Sequence, residues 1–95
     1  MFAITEAEAS ALSALGNRLR RRRLALGETQ SRAAARLGVS LPTYRKLEYG
    51  DSSAQIGAWM RALRLFGSLD ELDALFPESL FDEAAERQRA PRRKP

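Results

Sequence analysis

The sequence contains neither cysteine nor histidine. The first absence excludes disulfides and thiolate metal sites, and the second removes the commonest metal ligand and the commonest general acid or base. Long apolar runs are missing as well, so nothing in the chain reads as a bilayer span. Its first residues lack the basic and apolar regions of a signal peptide, and the expectation is a soluble, cytoplasmic protein with no membrane partner. Lysine is scarce, with only Lys46 and Lys94 among 16 basic residues, and the carboxylates cluster away from them. A small enzyme would need those groups together in a cleft, so no catalytic residue, no cofactor and no metal site is expected.

What the chain has instead is arginine, whose planar fork suits phosphate oxygens and base edges. Its 95 residues leave room for one small domain. The net charge of +4 hides an uneven distribution. Residues 18–46 hold nine basic side chains against Glu28 alone, residues 70–86 hold seven carboxylates and no base, and residues 87–95 hold five bases. A basic first half joined to an acidic segment points to an anionic partner, of which nucleic acid is the commonest.

Glycine and proline occur singly and cut the chain into helices. Leu12, Leu15, Leu19 and Leu26 follow helical spacing up to Gly27, with Arg20 to Arg23 wrapping the polar side. The start of that helix is open between Thr5, which makes a capping box with Glu8, and Ser10, with Phe2 and Ile4 as a short extended arm. Thr29 caps a second helix with Ala33, Ala34 and Leu37 inward, stopped by Gly38. Ser40 caps a third, stapled by Val39 and Tyr44, with Pro42 in its first turn, Tyr44 and Leu47 inward and Gly50 as its stop. A fourth follows Asp51, Ser52 and Ser53 and carries Ile56, Trp59, Met60, Leu63 and Phe66 as its core stripe. Ser68 and Glu71 form a capping box for a short fifth helix with Leu69, Leu72, Leu75 and Phe76, ended by Pro77. The plan is an all-α fold: an arm over 1–9, a five-helix domain over 10–77 and a charged extension over 78–95. That extension is expected to start as a helix capped by Ser79 and to end disordered.

Two short helices joined by Gly38-Val39-Ser40 make a helix-turn-helix, with Ala34 where the helices touch and Gly38 where the turn needs positive φ. From Gln30 to Leu47 the small, glycine and apolar requirements of that motif agree at once.

The sequence resembles the phage-repressor-type, Xre-like helix-turn-helix family. The resemblance lies in Arg22-Arg23-Leu24-Ala25-Leu26-Gly27-Glu28-Thr29-Gln30, Ala34, Leu37-Gly38-Val39-Ser40 and Lys46-Leu47-Glu48-Tyr49-Gly50, and covers residues 15–76. It implies a five-helix, repressor-like DNA-binding domain, usually dimeric, whose second motif helix enters the major groove while the first lies across phosphates. It also implies a salt bridge between Arg23 and Glu48. The chain is similar to small HipB-like antitoxins too, which repress their own operon and hold a kinase-like toxin. On that reading the acidic stretch and the Arg-rich tail are docking surfaces.

Roles follow for the exposed residues. Gln30, beside Thr29 and the free N–H groups of a helix start, is placed to bind phosphate. Ser40, Leu41 and Pro42 form the tip of the reading helix, with Leu41 or Pro42 against a thymine methyl. Arg45 or Lys46 is placed to reach guanine, and Tyr49 completes that face. Ser52 and Ser53 offer a second phosphate seat, and Arg18 and Arg22 face the DNA backbone. The expected function is a homodimeric transcriptional repressor bound to a double-stranded operator. The alternative is an antitoxin with a toxin partner.

Overall fold

Thr5 and Glu8 decide where the first helix begins. In the computed structural model, which describes residues 3–78 and 85–87, the Thr5 hydroxyl accepts from the Glu8 N–H at 3.1 Å and the Glu8 carboxylate accepts from the Thr5 N–H at 2.9 Å. This reciprocal box satisfies two donors that the helix itself leaves orphaned, and α1 runs Glu6–Ala25. Ser10 therefore sits inside α1 rather than at its cap, and the stretch expected as an arm is helical from Glu6 onward.

The motif helices are α2, Gln30–Leu37, and α3, Leu41–Tyr49. Thr29 and Ser40 cap them through the N–H groups of Arg32 and Thr43, at 3.1 and 3.2 Å. Gly38 and Gly50 end them in the left-handed conformation, at φ 77° and 73°. Pro42 falls in the first turn of α3, where a missing N–H leaves no bond unmade.

Helix α4, Ile56–Phe66, departs from its expected orientation. Its buried residues are Ala58, Ala62 and Phe66, while Trp59, Met60 and Leu63 are only half-buried and Ile56 is 70 % exposed. Small side chains let α4 settle closely on the α2–α3 pair, and the larger apolar stripe is turned toward α1. Arg61 fixes that orientation by donating to the Leu37 carbonyl at the C-terminus of α2, at 2.8 Å.

The fifth element is a 3₁₀ helix over Leu69–Ala74 rather than an α-helix. Its bonds close over three residues, from Glu71 N–H to the Ser68 carbonyl and from Leu75 N–H to the Leu72 carbonyl. The capping box forms as expected, but six residues with none buried give little reason for a longer helical ladder. The charged helix expected over 78–90 falls largely outside the described residues.

The core gathers Leu19 of α1, Ala33, Ala34 and Leu37 of α2, Tyr44 and Leu47 of α3, and the inner face of α4. Tyr44 and Leu47 are fully buried, and burying a side chain such as Leu47 contributes about 1.5–3 kcal/mol. Among the described residues there is no strand, and no helix is long and apolar enough to cross a membrane.

Candidate nucleic-acid interface

The inner side of α3 is tied down by charge. Glu48 is 8 % exposed and accepts from Arg23 Nε at 2.5 Å, Arg23 Nη2 at 3.1 Å, Tyr44 Oη at 2.5 Å and Gln30 Nε2 at 3.0 Å. Burial alone raises the pKa of this carboxyl, but the hydrogen bonds from Arg23, Tyr44 and Gln30 outweigh it and hold Glu48 below the usual carboxylate range. The same pair keeps Arg23 firmly charged, because its bond to Glu48 exceeds the cost of its own burial. Burial and the neighbouring Glu48 carboxylate push the Tyr44 phenol up. Arg23 also donates to the Glu28 carbonyl at 2.7 Å, so one guanidinium joins α1, the turn before α2, and α3. The bridge that the family resemblance implied is therefore present, within a larger network.

The outer side of α3 is open. Pro42, Arg45, Lys46 and Tyr49 share a concavity with Gln30 of α2 and with Asn17 and Arg20 of α1. Tyr49 is 86 % exposed, an unusual position for a large ring unless something stacks on it or packs against it. Two cations of α3, Arg45 and Lys46, and a third from α1, Arg20, line this concavity with α2 beginning at its edge, a surface suited to an anion. A B-form major groove is wide enough to admit one α-helix.

The expected site residues divide between this face and other places. Ser40 and Thr29 serve as caps, with their hydroxyls engaged by backbone N–H groups. Leu41, expected at an exposed tip, packs partly against the core. Ser53 is folded onto Asp51, whose carboxylate accepts from its N–H at 2.8 Å and its hydroxyl at 2.7 Å. That carboxylate is stabilised by the Ser53 contacts, so it stays ionised beside the supposed phosphate seat. The N-cap of α4 is Gln55, which makes no side-chain capping bond.

Arg18, Arg22 and Ser52 lie along a second groove, between α1, α4 and the 3₁₀ helix. Arg22 makes a two-pronged pair with Glu71, at 2.9 and 2.8 Å, and donates to the Phe66 carbonyl at 3.2 Å. The bond from Arg22, with a backbone N–H from Ser68, lowers the Glu71 pKa to about 2. Arg18 and Arg22, expected at the DNA backbone, lie in that second groove, and it is Asn17 and Arg20 that α1 brings beside α3. Helical spacing groups Arg18 with Arg22 and separates both from Arg20, but only the packing of α1 on α3 says which group faces outward.

The helix-turn-helix domain family matches residues 14–75, a span that takes in α2, α3, α4, the 3₁₀ helix and most of α1. The chain belongs to this helix-turn-helix family. Membership supports a DNA-binding regulator in general. No curated protein and no solved structure matches the chain.

Proposed function

We propose that the protein is a homodimeric, sequence-specific regulator of transcription that lays α3 in the major groove of a double-stranded operator and represses by occupying it. The observation that carries this reading is the convergence of Asn17, Arg20, Gln30, Arg45, Lys46 and Tyr49 on one concave face. Arg45 and Lys46 read base edges, with Pro42 beside them. Arg20 and the first N–H groups of α2 hold phosphates, and this combination of positioning and reading contacts is what sequence-specific binding requires. No catalytic step is assigned, and the action is in the cytoplasm, on DNA.

Two copies are joined through the groove between α1, α4 and the 3₁₀ helix, whose walls include Leu12, Leu15, Met60, Leu63 and Leu75. A two-fold dimer then sets the reading helices about one helical turn apart, roughly 34 Å. Selection of bound duplexes from a randomised library at near-physiological salt tests the reading. An inverted, paired motif supports it, and retention of duplexes without sequence preference overturns it.

A second reading has its own support. Phe76 is 99 % exposed at φ 51°, next to exposed Leu75 and close in sequence to the exposed carboxylates of Asp70, Asp73 and Glu78. An apolar knob among carboxylates fits a basic protein partner, which is the antitoxin alternative, with a kinase-like toxin as the partner. Stable association with the product of an adjacent gene, lost in Phe76→Ser, distinguishes it from a free-standing repressor.

A further inference from the structure

Gln30 carries two hydrogen bonds of opposite polarity. Its Nε2 donates to Glu48 Oε1 at 3.0 Å, and its Oε1 accepts from Arg45 Nε at 3.4 Å. The direction of this amide is not a free choice. An ionised carboxylate has only lone pairs to offer, so the NH₂ end must face Glu48 and the carbonyl oxygen must face Arg45. Glu48 is itself held by Arg23 from α1 and Tyr44 from its own helix. A chain of polar contacts thus runs from the buried charge pair to the exposed face of α3.

We infer that Glu48 and Gln30 are positioning residues for Arg45, and that guanine is the base this arginine reads; the inference rests on the DNA-binding reading above. With Nε turned toward Gln30, the guanidinium presents Nη1 and Nη2 outward as a pair of donors. Guanine offers two acceptors side by side in the major groove, O6 and N7, and matches that pair. Adenine places an amino donor beside N7, so one N–H of the fork meets another donor there. Arginine is long and flexible, and a side chain already held in its binding geometry has less freedom to lose when the base arrives. Gln30 supplies that restraint from outside α3, so one residue of the supporting helix influences which base the reading helix accepts.

The test compares wild type, Gln30→Met, Arg45→Lys and the double variant on duplexes enriched by wild type from a randomised library, with a thermal melt of each protein. Methionine keeps the length of glutamine without its hydrogen bonds, and position 45 is exposed, so both single variants retain the fold. Wild type is expected to demand guanine at one position of each half-site. Gln30→Met weakens that demand by about fivefold, the value of one ordinary hydrogen bond. Arg45→Lys weakens it too, and adding Gln30→Met to Arg45→Lys changes base preference no further. A Gln30→Met protein that keeps the full guanine preference while Arg45→Lys loses it overturns the positioning chain and leaves DNA binding standing. A wild-type protein that enriches no sequence overturns the DNA reading, and this inference with it.

Discussion

Gly16 and Glu48 are in backbone contact: a Cβ at position 16 would lie 2.3 Å from the Glu48 carbonyl oxygen and 2.8 Å from that of Leu47. Only hydrogen fits there. The close crossing of α1 and α3 brings Arg23 within reach of the Glu48 carboxylate and sets Asn17 and Arg20 beside the open face of α3. Gly50 repeats the device at the same, C-terminal end of α3, where a Cβ would meet the Leu12 carbonyl oxygen at 2.5 Å and the φ of 73° already disfavours a side chain.

Gly16→Ala sets two effects against each other. Alanine in a helix interior gains about 1 kcal/mol over glycine, whereas forcing an atom into a close-packed crossing costs about 1–3 kcal/mol. Here the obstacle is backbone, which cannot rotate away, so the cost wins and urea unfolding moves to lower denaturant. Gly57→Ala is the control, because nothing lies within 4 Å of its Cβ position. It is expected to stabilise by up to about 1 kcal/mol. Equal stabilisation by both variants contradicts the close crossing.

Glu48→Ala leaves Arg23 charged with its side chain only 7 % exposed. Breaking a buried pair from one side costs about 3–5 kcal/mol, a large share of the stability of so small a domain. Replacing Arg23 by methionine in the same protein removes the stranded charge and is expected to restore part of the loss. A melting temperature unchanged by Glu48→Ala removes the pair from the account.

Acid should destabilise the fold through the same carboxylates. Glu48 and Glu71 have folded pKa values below their ordinary 4.5, so the stability they contribute is complete above that value. It is lost as pH falls through the lowered values, about 2 for Glu71, because the unfolded chain takes up protons first. Melting temperatures measured from pH 7 down to pH 2 are expected to fall mainly below about 4.5, and the fall is expected to be smaller in Glu71→Gln. Stability that is flat across that interval contradicts the shifts.

Arg20 and Arg22 sit two residues apart and are expected to behave differently. Arg20→Ala weakens DNA binding and reduces the dependence of log affinity on log salt by about one, as the loss of one phosphate contact does. Arg22→Ala leaves the salt dependence of binding nearly unchanged, because Arg22 is paired with Glu71 rather than with phosphate, and lowers stability only slightly, since that pair is half exposed. Salt titrations of binding alongside melts separate the two, and a larger salt effect for Arg22→Ala reverses the assignment.

The parts of this fold that local chemistry dictates were legible in the sequence. Ser40 before Pro42, Gly38 and Gly50 at helix ends, and the Ser68–Glu71 box each act within a few residues, and each is where the spacing placed it. Helix faces were harder. Of the expected stripe Ile56, Trp59, Met60, Leu63 and Phe66 only Phe66 is fully in the core, and the rest of the buried side is Ala58 and Ala62, because close approach rather than hydrophobicity decides that contact. Gly16 carried no signal of its own, since a glycine in a helix reads as a weakness until its neighbour is known. The division of the arginine run followed from it. Arg18 and Arg22 were expected at the DNA backbone, and the face they share is the one toward α4 and the 3₁₀ helix. Leu41 looked exposed for a related reason: a helix start is exposed on average, and only the path of the turn from Val39 tucks this one against the core.

The measurement that tests the central claim most directly is a map of backbone amide shifts in the labelled protein as an enriched duplex is added. The account expects the largest changes at Asn17, Arg20, Gln30, Pro42's neighbours in the first turn of α3, Arg45, Lys46 and Tyr49. The Gln30 side-chain amide should stay protected by Glu48 throughout. Changes centred instead on Arg18, Arg22, Ser52 and the walls of the second groove would place the DNA on the opposite side of α1 and contradict the assignment of α3 as the reading helix.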